Sequence, residues 1–403
     1  MKRGHLSEYF TGLAAKRLSA VEVDISRSNQ HEFNGVDALK RLFGTATGTQ
    51  RFPARFIYLS DDQDQPTIAD GSLSWYDARE RHPTRSEHRL YFAANSASDC
   101  AAKDDVLVIA RRPDGSVLVV IAREGSTIAS QVHWLFGLTD LAKPGFAVRD
   151  DLETDRDRLA FASRLILENI GIDVAPPTDS HLEDMLARFS GGFPSTRDFS
   201  SYARSTVRDV GISDSPDDVL MVWMEREELL FRTLERHVIG DRLKRGFQGD
   251  VDGFIAFSLS VQNRRKSRVG HALENHLEST FKASYLRYSR AALTENRSRP
   301  DFLFPGATEY RDQAFNPLRL TMLGVKSSCK DRWRQVLTEA RRVERKHLLT
   351  LESAISGNQT DQMRAEKLQL VVPRQLHASF TEDQQRWLMD LTDFIALARE
   401  RQG

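Results

Sequence analysis

The hydrophobic pattern divides the chain into a first part with short apolar runs and a second part with helical periodicity. The β-branched runs 105–110 (DVLVIA) and 116–122 (SVLVVIA) are joined by the turn-forming RRPDG, which predicts a β-hairpin. Two further strands and a helix that ends at a capping glycine are predicted in this part: 52–60, 88–94 and 156–171. The first 170 residues are therefore predicted to be mainly β.

From about residue 215 the pattern becomes one of helices separated by short apolar strands. Helices are predicted at 217–247 (with an interruption at Gly240), 267–285 and 329–346, and strands at 299–306, 318–326, 347–351 and 368–373. This alternation is typical of an α/β sheet domain. The adjacent prolines Pro176 and Pro177 break the periodicity between the two parts. We therefore predict a first domain at 1–175, a linker and entry segment at 176–214, and a second domain at 215–403.

Composition narrows the class of protein. A chain of 403 residues is long enough for two domains. Its 57 basic and 57 acidic side chains balance, which argues against a protein that coats nucleic acid without specificity but allows a local basic cleft. The two cysteines, Cys100 and Cys329, have no metal-binding spacing. Because no apolar run reaches ~18 residues and no signal peptide begins the chain, a soluble cytoplasmic protein is expected.

One pair of residues has the spacing of a metal-dependent nuclease. Pro300-Asp301 begins a predicted strand, and Lys326 ends the next one. Phosphodiester hydrolysis at neutral pH needs carboxylates to hold Mg²⁺ and usually a lysine beside the attacking water. This is the arrangement of a PD-(D/E)xK nuclease, but Gly324 stands where that motif has its second acid.

Glu339 is a candidate for the missing acid. It lies 13 residues beyond Lys326, on the helix predicted over 329–346. Helical spacing divides that segment into two faces. The polar face carries Arg332, Gln335, Glu339, Arg342 and Lys346, and the apolar face carries Trp333, Val336, Leu337, Ala340 and Val343.

The run RPDFLFPG…LGVKSSCKDRWRQVLTEA, with the upstream SVQNRRKSRVGHALENHLE, resembles the catalytic domain of EcoRII-type restriction endonucleases over roughly 215–375. The resemblance implies a restriction-endonuclease-like α/β fold with a central mixed sheet. It implies that Asp301, Lys326 and Glu339 are catalytic, that Asp301 and Glu339 bind Mg²⁺, and that Glu274 is the upstream acid of the site. It also implies a homodimer through the nuclease domain and a companion DNA methyltransferase.

The same resemblance assigns a DNA-reading segment to Lys330, Asp331 and Arg332, which would read the outer C·G pairs of a site that begins CC and ends GG. Trp333 belongs to the predicted apolar face and is expected to lie in the core. A second basic cluster precedes the Glu274 helix and suits phosphate contact: Arg264, Arg265, Lys266 and Arg268.

The first domain carries a shorter resemblance. KRLSA (16–20), His31 and PTRSEHR (83–89) resemble the amino-terminal effector domain of the same enzymes, a B3-like β pseudobarrel that grips DNA between two arms. Pro83 stands where the family carries a lysine. The matching positions are His31 on the first arm and Arg85, Glu87, His88 and Arg89 on the second.

These patterns lead to one expected function and two alternatives. We expect a type II endonuclease that cuts both strands of a short C/G-flanked site, such as CCWGG, with the first domain binding DNA as an effector or restraining the nuclease. One alternative is a methylation-directed endonuclease whose first domain senses a modified base. The other is a DNA-binding regulator with a decayed nuclease domain.

Overall fold

The structure of the chain, a computed structural model, forms two compact units. The first comprises residues 1–174 with 354–359, and the second comprises 175–353 with 360–403. The described residues are all except 1–3, 24–30, 46–47, 64, 83, 139–140, 142–144, 173, 175–180, 191, 208–214 and 330–331, with the side chains of 161, 169 and 296 also left out. Among the described helices, none combines the length and apolar character that a membrane crossing requires.

The first unit is built, in its described part, on an eight-stranded sheet with the order β2-β5-β4-β3-β7-β6-β1-β8. The strands are β1 Gly12–Arg17, β2 Glu32–Asn34, β3 Gln50–Leu59, β4 Thr67–Asp77, β5 His88–Phe92, β6 Val106–Arg111, β7 Val117–Ala122 and β8 Ala147–Arg149. Strands β3 and β7 run parallel, and the other neighbouring pairs run antiparallel. The helices of this unit are α1 Ala20–Val23, α2 Asp37–Phe43, α3 Thr127–Phe136 and α4 Phe161–Asn169.

Both faces of this sheet are apolar, because successive side chains of a strand point to opposite faces. In β1, Leu13 packs into one core with Phe136 of α3, whereas Ala14 packs into the other core with Leu42 of α2. The hairpin predicted from the RRPDG turn is confirmed, since β6 pairs antiparallel with β7. The first unit is mainly β, as predicted.

The second unit contains, among its described residues, a five-stranded sheet with the order β13-β12-β11-β10-β9. The strands are β9 Ser289–Arg290, β10 Phe302–Phe304, β11 Thr321–Lys326, β12 Lys346–Thr350 and β13 Leu368–Val371. Strands β11, β12 and β13 run parallel, whereas β9, β10 and β11 run antiparallel. The predicted mixed sheet is therefore present.

Nine described helices complete this part of the chain: α5 Leu182–Phe189, α6 Thr196–Ser205, α7 Pro216–Arg245, α8 Val251–Ala283, α9 Ala307–Arg311, α10 Trp333–Leu337, α11 Gly357–Ala365, α12 Glu382–Trp387 and α13 Leu391–Gln402. Helix α7 begins at a Ser215 N-cap with Pro216 in the first turn. It continues through Gly240, so the predicted interruption there is wrong. One glycine costs a helix about 1 kcal/mol, which is too little to break a 30-residue helix.

The segment predicted as linker and entry, 176–214, contains helices α5 and α6. Met185 of α5 and Phe199 of α6 are buried in one cluster with Leu230 and Phe231 of α7. Much of the segment therefore adds core to the second unit. Its proline pair at 176–177 lies outside the described residues.

Candidate functional site

The structure brings Asp301 and Lys326 together at the edge where β10 and β11 pair. Phe302 lies opposite Leu323 in this antiparallel pair, and the same register places Asp301 across from Gly324. The Asp301 Oδ2 atom accepts hydrogen bonds from the Lys326 Nζ atom at 3.2 Å and from the Val325 backbone N–H at 2.6 Å. The lysine ammonium and one carboxylate are thus held at hydrogen-bond distance.

Gly324 has no room for a side chain. A Cβ atom there would lie 2.8 Å from Cγ2 and 3.0 Å from Cγ1 of Val336, closer than non-bonded carbon atoms approach each other. Val336 belongs to α10 and is fully buried, so this helix packs directly on β11. The missing acid of the nuclease motif therefore has a steric explanation.

Glu339 lies just after α10, which is shorter than predicted. The helix ends at Leu337, Ala340 has a left-handed φ of 45°, and β12 begins at Lys346. The prediction of one helix over 329–346 is wrong because the chain must reverse to enter β12 parallel to β11. Four members of the predicted apolar face are nevertheless buried: Trp333, Val336, Ala340 and Val343.

Arg342 fixes the turn that follows Glu339. Its guanidinium donates hydrogen bonds to the backbone carbonyls of Asp312 and Phe315, each at 2.8 Å, and to the carbonyl of Tyr310. These carbonyls follow or end α9, so the guanidinium satisfies groups that a helix end leaves unpaired. The sequence places Arg342 on a polar face but gives no sign of this anchoring role.

The pKa of Glu339 is raised to about 7, first by burial and then by the negative charge of Asp301, while Lys326 and Lys346 oppose the shift. The Glu339 Oε2 atom is buried and has no hydrogen-bond partner among the described residues. A carboxylate oxygen without a partner beside a second carboxylate is a suitable position for a hard cation.

The acids present fit Mg²⁺, which protein sites commonly hold through one or two carboxylates together with water and phosphate oxygens. Within the described part of the chain, no cluster of three or more His, Cys, Asp or Glu side chains is arranged to hold a metal. The site therefore offers a pair of acidic ligands, Asp301 and Glu339.

The carboxylate of Glu274 is paired with an arginine. It accepts a hydrogen bond from Arg290 at 2.7 Å, and the same guanidinium donates to Glu278 at 2.9 Å and to Asn275 at 3.0 Å. Arg290 lies in β9 and was not singled out from the sequence. The structure thus places Glu274 in an arginine-centred network on α8.

Of the predicted DNA-reading segment, the structure describes Arg332. Arg332 is exposed and donates hydrogen bonds from Nη2 to the Ser328 carbonyl at 3.1 Å and to its hydroxyl at 2.7 Å. Trp333 is fully buried, so its predicted place in the core is confirmed. Lys330 and Asp331 lie outside the described residues.

The four members of the basic cluster on α8 lie in different environments. Arg268 is 5% exposed, forms ion pairs with Glu228 and with Glu227, and lies 4.2 Å above the Phe231 ring. This burial and the two ion pairs disfavour the phosphate contact predicted for Arg268.

The other three members of this cluster are more accessible. Arg265 pairs with Glu235 at 2.8 Å, and Arg264 lies over the ring of Phe193 at 4.3 Å. Arg264 and Lys266 are exposed. These two remain the cluster's best candidates for phosphate contact.

In the first unit, only one of the matched residues on the second arm is exposed. Arg85 lies exposed in the loop between β4 and β5. His88 is 6% exposed and packs against Trp75, with 5.0 Å between ring centroids. Arg89 pairs with Glu32 at 2.9 Å and with Glu87 at 2.5 Å. His88 and Arg89 therefore stabilise the base of the arm.

His31 lies at the other end of β5 from Arg85. Its carbonyl accepts the Phe92 N–H at 3.0 Å, and its ring contacts the Phe92 ring with 5.4 Å between centroids. Strand β5 begins at His88 and ends at Phe92, a span of about 14 Å at the usual rise per residue. Residues 24–30, directly before His31, lie outside the described residues.

Comparisons with known proteins agree with the resemblance drawn from the sequence. The family described as "EcoRII C terminal" matches residues 231–395. The chain is 41% identical to the type II restriction enzyme EcoRII of Escherichia coli over 234 residues, which are 57% of this chain and 56% of that enzyme. The match thus spans little more than half the length of this relative. The predicted resemblance to EcoRII-type enzymes is confirmed.

Two solved structures are similar to part of the chain. Metal-depleted Ecl18kI in complex with uncleaved, modified DNA has a TM-score of 0.44 and 14% identity, covering 56% of this chain and 85% of that one. A complex of the restriction endonuclease PspGI with substrate DNA has a TM-score of 0.41 and 15% identity, covering 58% of this chain and 94% of that one.

The packing of Val336 on Gly324 gives a prediction about stability. Gly324→Ala should lower the free energy of unfolding by about 1–3 kcal/mol, because the added methyl group overpacks the contact. Gly270→Ala in α8 is the control: nothing lies within 4 Å of a Cβ at that position, and alanine in a helix interior should be neutral or stabilising by up to ~1 kcal/mol. Urea unfolding of both variants measures the difference. Equal effects of the two substitutions would contradict the contact.

The raised pKa of Glu339 gives a prediction about Mg²⁺ binding. Protonated Glu339 must lose its proton before it can bind a cation. With a pKa of about 7, Mg²⁺ binding at pH 6.5 should release roughly three-quarters of a proton per chain, and almost none at pH 8.5. Titration calorimetry in buffers of different ionisation enthalpy measures this release.

The raised pKa of Glu339 also sets the direction in which stability changes with pH. The folded pKa lies above the ordinary value, so the protonated carboxyl stabilises the metal-free fold at low pH, and this contribution is lost as pH rises through about 7. Glu339→Gln should remove the proton release, whereas Glu344→Gln, at an exposed position, should keep it. Unchanged release in Glu339→Gln would exclude Glu339 as the ligand.

Proposed function

We propose that this chain, whose residues 231–395 match the family described as "EcoRII C terminal", is a type II restriction endonuclease that cuts both strands of double-stranded DNA with Mg²⁺. The observation that carries the proposal is the pairing of Asp301 with Lys326 at 3.2 Å, beside a Glu339 carboxylate whose pKa is raised by the charge of Asp301 and whose Oε2 atom has no hydrogen-bond partner among the described residues. Two carboxylates that can hold a metal, with a lysine beside them, suit metal-assisted phosphodiester hydrolysis.

Each residue has a role in this chemistry. Asp301 and Glu339 would hold Mg²⁺, which when bound neutralises charge on the phosphate and lowers the pKa of bound water. The Val325 N–H and the Lys326 ammonium orient Asp301 through its Oδ2 atom. Lys326 in turn supplies N–H donors to the attacking water or to a phosphate oxygen. Glu274, paired with Arg290, would shape the site from the side of α8.

Recognition of a C/G-flanked site, CCWGG or a related CC…GG sequence, belongs to the same proposal. Arg332 supports it, since the residue is exposed and lies six residues beyond Lys326. An arginine can donate two hydrogen bonds to one guanine in the major groove. Lys330 and Asp331 would complete this reading segment, and the exposed Arg264 and Lys266 would contact phosphates.

A homodimer is part of the proposal, because each chain offers one Asp301–Lys326 centre for two DNA strands. Its support is an apolar stripe at helical spacing near the start of α8, where four side chains are 48–66% exposed: Val251, Phe254, Ile255 and Leu259. A companion methyltransferase that protects the host's own sites, and a cytoplasmic location, complete this picture.

For the first unit we propose a DNA-binding module of the B3-like kind, acting as an effector site or an autoinhibitory domain. The exposed Arg85 on the β4–β5 loop supports DNA contact. The methylation-directed alternative uses the same loop with a modified base. The third alternative, a regulator with a decayed nuclease, is disfavoured by the intact Asp301, Lys326 and Glu339.

Removal of the lysine tests the chemistry. Lys326→Ala should reduce DNA cleavage at least a thousandfold, whereas sequence-specific binding should persist because the reading residues remain. Plasmid cleavage and fluorescence anisotropy measure the two properties. Mixing the variant with wild-type chains should produce nicked circles if two centres act in one dimer. Full cleavage by Lys326→Ala, or by the wild type in EDTA, would contradict the proposal.

The substitution Arg85→Ala tests whether the first unit binds DNA. In full-length Lys326→Ala protein, two classes of DNA site are expected, and Arg85→Ala should weaken one of them by about tenfold, the effect of one lost base contact. Lys103→Ala is the matched control, because it removes an equal charge from an exposed position. Lys103 lies before β6, at the end of the sheet opposite the β4–β5 loop. This substitution should change the affinity of neither class of DNA site.

Titration with unmethylated and methylated duplexes completes this test. Tighter binding of methylated DNA that depends on Arg85 would favour the methylation-directed alternative. Two classes of site that both survive Arg85→Ala would show that this loop does not bind DNA.

A further inference from the structure

A buried carboxylate outside the nuclease motif lies at the end of β12. Strands β11 and β12 are parallel, with Lys326 paired to Thr350, so both strands end at the same edge of the sheet. Glu352 follows two residues beyond Thr350 and is 8% exposed. Its backbone N–H donates a hydrogen bond to the Thr350 hydroxyl at 3.1 Å. Glu352 is thus fixed beside the carboxyl end of β11, the strand that carries Lys326.

The Glu352 carboxylate accepts the backbone N–H of Cys329, a residue that is fully buried three positions beyond Lys326. Burial, together with the negative charge of Glu352, raises the pKa of the Cys329 thiol, so the thiol stays protonated and packs as an apolar group. A hydrogen bond from a backbone N–H to a carboxylate is roughly twice as strong as one between neutral groups. Glu352 therefore anchors Cys329 through a strong backbone contact.

Cys329 in turn holds the turn that carries Arg332. Its carbonyl accepts the Arg332 N–H at 2.8 Å, and the Arg332 guanidinium folds back onto Ser328. A chain of contacts thus runs from Glu352 through Cys329 to Arg332.

We propose that Glu352 is a positioning residue for DNA reading, which holds Cys329, and through it Arg332, in register with Lys326. The inference rests on the proposed function and deepens it, since it concerns how the cleavage site and the reading site are held together. Loss of the carboxylate frees the Cys329 N–H from its partner, and the Arg332 side chain then samples positions that do not match one base edge. Discrimination between DNA sequences falls while the catalytic pair remains in place.

The experiment uses the full-length chain with Glu352→Gln, which keeps one acceptor oxygen, and Glu352→Leu, which keeps none. Hydrogen exchange of the peptide that contains Cys329 and Arg332 reports on the anchor without any DNA. Cleavage of a cognate duplex and of duplexes with one outer base pair changed reports on discrimination. Arg332→Ala serves as the comparison, because it removes the proposed reader directly.

The matched control is Asp217→Asn. Asp217 is also a buried carboxylate (2% exposed) that accepts backbone N–H groups, those of Leu391 and Thr392 at 2.9 and 3.0 Å. It lies on α7, outside the proposed site, so its loss should lower stability without changing the ratio of cognate to substituted cleavage.

The expected result is faster exchange at 329–332 and at least a tenfold loss of discrimination in Glu352→Leu, with a smaller loss in Glu352→Gln. If Glu352→Leu left hydrogen exchange of this peptide unchanged, Glu352 would not anchor Cys329. Faster exchange with an unchanged ratio, or an equal fall on all duplexes as in a merely destabilised protein, would overturn the positioning role. If the wild type itself does not distinguish the duplexes, the proposed function fails, while the exchange data still decide whether Glu352 anchors the turn.

Discussion

The contact between Val336 and Gly324 is the constraint on which the candidate site depends. With 2.8 Å between a hypothetical Cβ at 324 and the valine methyl group, α10 lies on β11 without an intervening side chain. At its carboxyl end the strand then supplies one polar side chain, that of Lys326. The second acid has to come from another element, and Glu339, in the turn directly after the helix, is the acid that lies near Asp301.

This arrangement leaves the metal-free site electrostatically unbalanced. Asp301 has a cationic partner in Lys326, but Glu339 combines burial, a neighbouring negative charge and an oxygen that accepts no hydrogen bond from the described residues. Two carboxylates in one site favour protonation of one of them. Binding of a divalent cation, as proposed for Mg²⁺, would relieve the same imbalance and release the proton, so metal affinity and proton release would have one physical origin.

The sequence was informative wherever a local pattern carries the signal. The RRPDG hairpin, the strands β10 to β13 of the second unit and the pair Asp301–Lys326 follow from turn chemistry, apolar runs and motif spacing. Contacts between distant residues left no such pattern. Nothing local marks Arg290 as the partner of Glu274 or Arg342 as the anchor of α9. Helical periodicity likewise predicts buried positions over 329–346 but cannot show that the chain turns at Ala340, because the turn is imposed by the parallel pairing of β12.

The most direct test of this account is to locate the metal. Crystals of the Lys326→Ala protein with cognate DNA and Mn²⁺, whose anomalous scattering marks its position, would show which side chains bind the ion. The account predicts an ion held by one carboxylate oxygen from Asp301 and one from Glu339, with Gly324 still in contact with Val336. An ion held by Asp301 and Glu274, with Glu339 turned away, would contradict the claim that the second acid has moved to the turn after α10.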